Sequence, residues 1–197
     1  MSNIEMTVYS SWLGKTEPVA EQAATSLSKE AMLVEAARRG DQDAFGNLYA
    51  LYAPMVHGIM LARVPCSEVD DLVQDVFLVA FRKLASLRES GAFGGWLAMI
   101  ARNRAMDFHR GSRRTEELHE DMAHQDSHEA EAEATKVLAT IRELPEAYRE
   151  TLVLRLVEGM TGPEIAARTG LTPASVRVNL HRGMKLLREK LGMERGV

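Results

Sequence analysis

Apolar residues along this chain recur at intervals of three and four, the spacing of helices that bury one face. A first helix is predicted to start at a Ser28 cap, to place Met32, Leu33 and Ala36 inward, and to stop at Gly40. Asp41 restarts the pattern, which Phe45, Leu48, Tyr49, Tyr52, Val56, Ile59 and Met60 continue, with Pro54 inside as an expected kink. After the break Pro65-Cys66-Ser67, Ser67 is expected to cap a helix with Asp70 at N3. Its stripe is Val69, Leu72, Val73, Val76, Phe77, Ala80, Phe81 and Leu84; its other face holds Asp71, Gln74, Asp75, Leu78 and Arg82. Acids early in a helix suit its dipole, which leaves the outward Leu78 unexplained. A loop with Gly91, Gly94 and Gly95 around Phe93 leads into a helix from Trp96, with Leu97, Ile100, Ala101 and Phe108 inward and Arg102, Asn103, Met106 and Arg110 outward.

The last third shows the sharpest punctuation. Val137, Leu138, Ile141 and Leu144 predict a helix ended by Pro145, and a second follows as far as Gly159. Thr161 and Glu164 then form a T-x-x-E capping box, Gly170 stops that short helix, and Thr172 with Pro173 opens the next. Val176, Leu180 and Leu187 fall on the buried side of this final helix, leaving Ser175, Arg177, Val178, His181, Arg182 and Lys185 outward. Two helices about a glycine turn are either a helix-turn-helix, whose second helix enters the DNA major groove, or a plain αα-hairpin; the outward cations favour the first.

At 46% hydrophobic and 26% charged, the 197-residue chain has a globular composition, long enough for one domain or two small ones. A net charge of −4 argues weakly against nucleic acid until it is resolved along the chain. Residues 99–114 hold five arginines against Asp107, residues 115–135 hold eight acids and no Lys or Arg, and the segment beyond is basic again. The acidic stretch reads as a flexible linker, spanning roughly 25 Å on average and roughly 70 Å at most. His119, His124 and His128 within it invite a metal reading, but nothing there builds a scaffold to hold ligands, and no metal or other cofactor is expected. Cys66 stands alone, which excludes an internal disulfide and fits a reducing cytoplasm. No apolar run is long enough to span a membrane, and no secretory signal opens the chain. No phosphate loop, paired cysteine or nucleophile with an oriented base supports an enzyme.

Four segments in order resemble small extracytoplasmic-function members of the sigma-70 family. They are Ala44-Phe45-Gly46-Asn47-Leu48-Tyr49; Asp70-Asp71-Leu72-Val73-Gln74-Asp75-Val76-Phe77; Phe93-Gly94-Gly95-Trp96-Leu97-Ala98-Met99-Ile100-Ala101-Arg102-Asn103; and Leu144-Pro145-Glu146-Ala147-Tyr148-Arg149 leading into the helix-turn-helix. The resemblance implies an all-α protein of two small helical domains. The chain then divides into a variable tail over 1–28, a region 2-like domain over 29–114, the acidic linker over 115–135 and a region 4-like domain over 136–197. It further implies that Asp71, Gln74, Asp75 and Leu78 dock on the clamp coiled coil of the RNA polymerase largest subunit. Phe93, Arg102, Asn103, Arg110, Arg113 and Arg114 would meet the −10 element, with Trp96 mainly structural. Thr172, Ala174, Ser175, Arg177, Val178, His181 and Arg182 would read the −35 element as duplex, next to the polymerase flap region. The linker's carboxylates would thread toward the RNA exit path and stand in for RNA phosphates.

Departures are the loop Glu89–Phe93, the Arg177-Val178-Asn179 run, Pro163, and the tail with its Tyr9, Trp12 and Leu13. The implied partners are core polymerase, promoter DNA and an anti-sigma factor, which could also hold this cytoplasmic protein at a membrane. A free-standing two-domain DNA-binding regulator and a protein-interaction module with basic faces remain alternatives. The 65–85 helix separates the first of these from a polymerase subunit, and the Arg-rich helix the second.

Overall fold

The computed structural model describes residues 19–112 and 129–192, which form eight helices with no strand among the described residues. In chain order these are α1 (Val19–Arg38), α2 (Gln42–Leu61), α3 (Val69–Lys83), α4 (Phe93–Ser112), α5 (Glu129–Arg142), α6 (Glu146–Leu156), α7 (Gly162–Thr169) and α8 (Pro173–Lys190).

The first unit is built around α2, which packs on α1, α3 and α4. Asp41 caps it by accepting from the Ala44 N–H at 2.9 Å. Its second half, Met55 to Leu61, is apolar on nearly every face and accordingly buried on nearly every face. It remains a single helix through Pro54. α3 is the amphipathic partner: Leu72, Val73, Val76, Phe77 and Ala80 face inward, Asp70 and Asp71 sit in its first turn, and Arg82 and Lys83 in its last, matching the helix dipole at both ends.

Three expectations for this unit change. α1 runs through Ser28 without interruption, because nothing between Val19 and Arg38 breaks a helix: the segment has neither Gly nor Pro. The predicted tail boundary at residue 28 therefore falls inside a helix. The face of α1 is also rotated. Val34 and Ala37 are buried while Met32 is 70% exposed, because α1 meets α2 along the Glu30, Val34, Ala37 line, where the Tyr52 hydroxyl donates to Glu30 at 2.7 Å. Ser67 does not cap α3. Cys66–Glu68 form a 3-10 turn that carries the start of α3 to Val69, and the Ser67 hydroxyl instead contacts the Glu68 carboxylate.

In the second unit α6 is central, packing on α5, α7 and α8. The predicted punctuation is present. Thr161 and Glu164 form the full capping box, Gly170 takes the left-handed conformation at φ +75°, and the Thr172 hydroxyl accepts from Ser175 N–H at 3.1 Å with Pro173 in the first turn. Residues 113–128, which include much of the predicted linker over 115–135, lie outside the described residues, as do His119, His124 and His128. Its last part is helical, since α5 starts at Glu129.

The two units share one continuous apolar core, with α2 against α6 and α7, and α4 against α7. Arg142, at the end of α5, donates to the carbonyls of Leu61 and Val64 at 2.8 Å each, satisfying acceptors that the end of α2 leaves open.

Candidate nucleic-acid interface

α8 presents its sequence-predicted set together. Thr172, Ala174, Ser175, Arg177, Val178, His181 and Arg182 are all exposed, on the first two and a half turns of a helix whose other side buries Val176, Gly183 and Leu187. Val178 is 43% exposed, an apolar side chain in solvent between two arginines. Cations supply attraction to phosphate and bidentate donors for guanine, and an exposed apolar group can meet a thymine methyl. Lys185 extends the basic edge, loosely paired with Glu189 at 3.8 Å.

The second predicted set, on α4, is not assembled as a free surface. Phe93 is 1% exposed, stacked edge-on to Tyr52 with ring centres 5.1 Å apart and tilted against Trp96 at 5.9 Å. As the first residue of α4 it points into the core, so in this arrangement its ring offers no face to a base. Arg102 turns toward the second unit. Its Nε donates to one Glu150 oxygen at 3.0 Å and its Nη2 to the other at 2.6 Å. Asn103 and Arg110 are exposed, Arg110 within 3.4 Å of Asp107, and Arg113 and Arg114 lie outside the described residues.

The third set lies on α3. Asp71, Gln74 and Leu78 are exposed. Asp75 is engaged by Arg104 of α4, whose Nε is 3.2 Å away. Gln74 and Leu78 line an open apolar groove of about 440 Å³ whose walls are Phe45 and Tyr49 of α2 and Phe77 and Phe81 of α3. Its aromatic rings touch in series, Phe45–Phe81 at 4.8 Å and Tyr49–Phe77 at 4.5 Å. The sequence reading put Phe45, Tyr49 and Phe81 on buried faces. The available signal was the pairing of aromatics four apart on two successive helices, which places four rings along one seam.

The junction between the units is the part that sequence reasoning did not anticipate. Glu150 of α6 is 5% exposed, and both of its counter-charges belong to the other unit: Arg102, and Arg63, whose Nη2 is 2.9 Å away. Burial pushes the Glu150 carboxyl up, but the hydrogen bonds and charge of Arg102 and then Arg63 outweigh it and hold the group below the usual carboxylate range. Arg63 also pairs with Glu146, and its carbonyl accepts from His109 Nε2 at 2.7 Å. A second cross-junction pair joins His57 Nδ1 to Glu158 at 2.6 Å.

The comparisons with known proteins divide the chain in the same way. Residues 48–115 match the family described as Sigma-70 region 2, and residues 134–187 match Sigma-70, region 4. The chain is 34% identical over 166 residues to the RNA polymerase sigma factor CarQ of Myxococcus xanthus, covering 81% of this chain and 95% of that one. It is 30% identical over 177 residues to the ECF RNA polymerase sigma-E factor of Escherichia coli (strain K12), covering 81% and 93%. Among solved structures it is similar to CnrH in complex with the cytosolic domain of CnrY, at 28% identity and a TM-score of 0.61, over 84% of this chain and 99% of that one. It shares its fold with the sigma factor RpoE in complex with the anti-sigma factor NepR from Bartonella quintana, at 21% identity and a TM-score of 0.56, over 77% of this chain and 98% of that one.

Proposed function

The chain belongs to the extracytoplasmic-function sigma factors of the sigma-70 family, and from that premise we propose that it binds core RNA polymerase and directs promoter-specific transcription initiation. The observation that carries this reading is the capped helix-turn-helix with seven exposed residues on α8 and its N-cap, attached to a second unit that has a basic helix of its own. Thr172, Ala174, Ser175, Arg177, Val178, His181 and Arg182 read the −35 element in the major groove. Asn103, Arg110, Arg113 and Arg114, joined by Arg102 when it is released, meet the −10 element. Extruding a base there costs a few kcal/mol, which pocket contacts and the basic surface offset.

The α3 face with Asp71, Gln74, Asp75 and Leu78 docks on the polymerase clamp. The aromatic groove beside it gives Leu78 an apolar neighbourhood for a partner helix to cover. CnrH is seen with the cytosolic domain of CnrY and RpoE with the anti-sigma factor NepR, and an anti-sigma factor is the control proposed for this chain. No helix among the described residues is long and apolar enough to cross a membrane. The acidic residues 115–128 approach the RNA exit path.

The deciding experiment is run-off transcription with purified core polymerase on a library of random promoters. Discrete transcripts whose templates share an upstream and a downstream motif are expected. Transcripts no different from those of core polymerase alone would remove the reading.

A further inference from the structure

Of the seven residues on α8 and its N-cap, two already have work within the helix. The Thr172 hydroxyl accepts from the Ser175 N–H, and the Thr172 and Ser175 hydroxyls hydrogen-bond each other at 2.8 Å. These two side chains set the start of the helix. Ala174, Arg177, Val178, His181 and Arg182 are left to face a groove.

How they face it depends on the rotation of α8 about its own axis. Gly183 fixes that rotation. A Cβ there would be 3.0 Å from Leu152 Cδ1 and 3.1 Å from Tyr148 Cβ, so α8 seats on α6 through a position with no side chain. Val176 and Leu187 are buried along the same line. At about 100° per residue, Ala174 and Val178 fall within about 20° of the point opposite that line. His181 and Arg182 stand about 40° and 60° to either side, and Arg177 about 80° away. Lys185 returns to the outer line about 10 Å further along the helix.

The ridge that the first turns of α8 push outward is therefore apolar, and the cations stand on its flanks. Val178 at its crest is 43% exposed. A β-branched residue in a helix holds one strongly preferred rotamer, so the two methyl groups sit in a defined place. No acidic residue occurs in α8 before Glu189. A partner that meets this ridge is thus flanked by positive charge alone, which suits a groove with phosphates along both walls.

An apolar ridge can neither donate nor accept a hydrogen bond. The floor of the major groove offers one apolar group, the thymine 5-methyl, while the other base edges present donors and acceptors. Against a G·C pair the ridge would take those polar groups out of water and leave them unpaired, which is costly. Against thymine it buries methyl on methyl. Selection comes from the repulsion as much as from the attraction.

Resting on the proposed sigma-factor reading, we infer that Val178, with Ala174 beside it, is the residue that specifies thymine in the upstream element: its side chain packs on a thymine 5-methyl group while Arg177 and Arg182 engage the duplex on either side. An acidic protein segment would also satisfy the flanking cations, but its binding would not depend on a base methyl.

The test removes that methyl from the DNA. A promoter recovered by run-off transcription with core polymerase is resynthesised with deoxyuridine in place of one upstream thymidine at a time, which deletes the 5-methyl and keeps every hydrogen-bonding group. Binding by the holoenzyme that the full chain forms should fall about three- to fivefold at one or two adjacent positions, the worth of one buried methyl, and stay unchanged elsewhere. Val178→Ala should weaken binding of the unmodified promoter by a similar factor and lose the sensitivity, with its helical circular dichroism intact. Arg182→Ala should weaken binding and remain sensitive. An upstream element without thymidine on either strand, deoxyuridine tolerated at every position, or sensitivity that survives Val178→Ala overturns the assignment. If no discrete transcripts form, the sigma-factor reading fails; duplexes selected from random sequence by the full chain alone then replace the promoter, and the same comparison judges Val178. Failure to select any duplex overturns the assignment too, and is the outcome expected of a face made for an acidic protein.

Discussion

Gly170 has two roles, and they can be separated by substitution. At φ +75° it ends α7 in a conformation that costs an L-residue about 1–2 kcal/mol, and it also lies against Gly95 of the other unit. Gly40 has φ +94° with open space around its Cβ position. Gly40→Ala should therefore lose only the backbone term in urea denaturation, while Gly170→Ala should lose that term and the inter-unit fit as well. Equal losses would show that the Gly95 contact carries no energy. The same residue shows what sequence can and cannot disclose. Its role as a helix stop follows from local chemistry, as do the caps at Thr161 and Thr172, because a cap is satisfied by atoms three residues away. Its role as a contact surface depends on residues 75 positions earlier. The contact made by Arg102 was hidden for a related reason. It does point out of its own unit, but what lies outside is Glu150 rather than solvent.

At the scale of elements, apolar spacing located α2, α3, α4 and α6, although α2 is buried on nearly every face in its second half and α6 buries five successive residues, Glu150 to Leu154. It misplaced the face of α1, where Met32 scores as apolar yet stands in solvent and the small Ala37 does the packing. It also treated the aromatic seam between α2 and α3 as core, since periodicity identifies an apolar face but not whether anything covers it. Leu78, 53% exposed, was the one residue that betrayed an uncovered side. Leu78→Asp should leave the melting temperature nearly unchanged, because the side chain is already in water, and should weaken core polymerase binding in a fluorescence titration. Undiminished binding would place the docking face elsewhere. On α8, Arg182→Ala should cost about 1–3 kcal/mol of promoter affinity if the side chain reads a base, with the loss confined to one position of the upstream element. A loss uniform across sequences would mean that the residue touches phosphate only.

For the whole molecule, the two-unit division read from charge and composition matches the two matched family regions, but their mutual packing was invisible because ion pairs spanning 48 or 101 residues leave no local pattern. One of those pairs makes the packed form sensitive to pH. His57 on α2 is held above its ordinary pKa first by the hydrogen bond it donates to Glu158, against partial burial, with the charges of Glu158 and of Asp70 on α3 adding to the effect. A folded-state pKa above the unfolded value means that the charged histidine stabilises the packed form. That contribution is complete below the unfolded value of 6.5 and is lost as pH rises through the folded one. Glu150 works in the opposite sense: its depressed pKa keeps its contribution intact at and above neutrality and loses it only in acid. As pH rises from 6.5 through the raised folded-state value, then, the His57 pair should dominate the slope, and the urea midpoint of the full chain should fall. His57→Gln should flatten that slope and leave the acid limb, to which Glu150 contributes, in place. A slope that survives the substitution would assign the pH response to another group and reduce the His57–Glu158 contact to surface pairing.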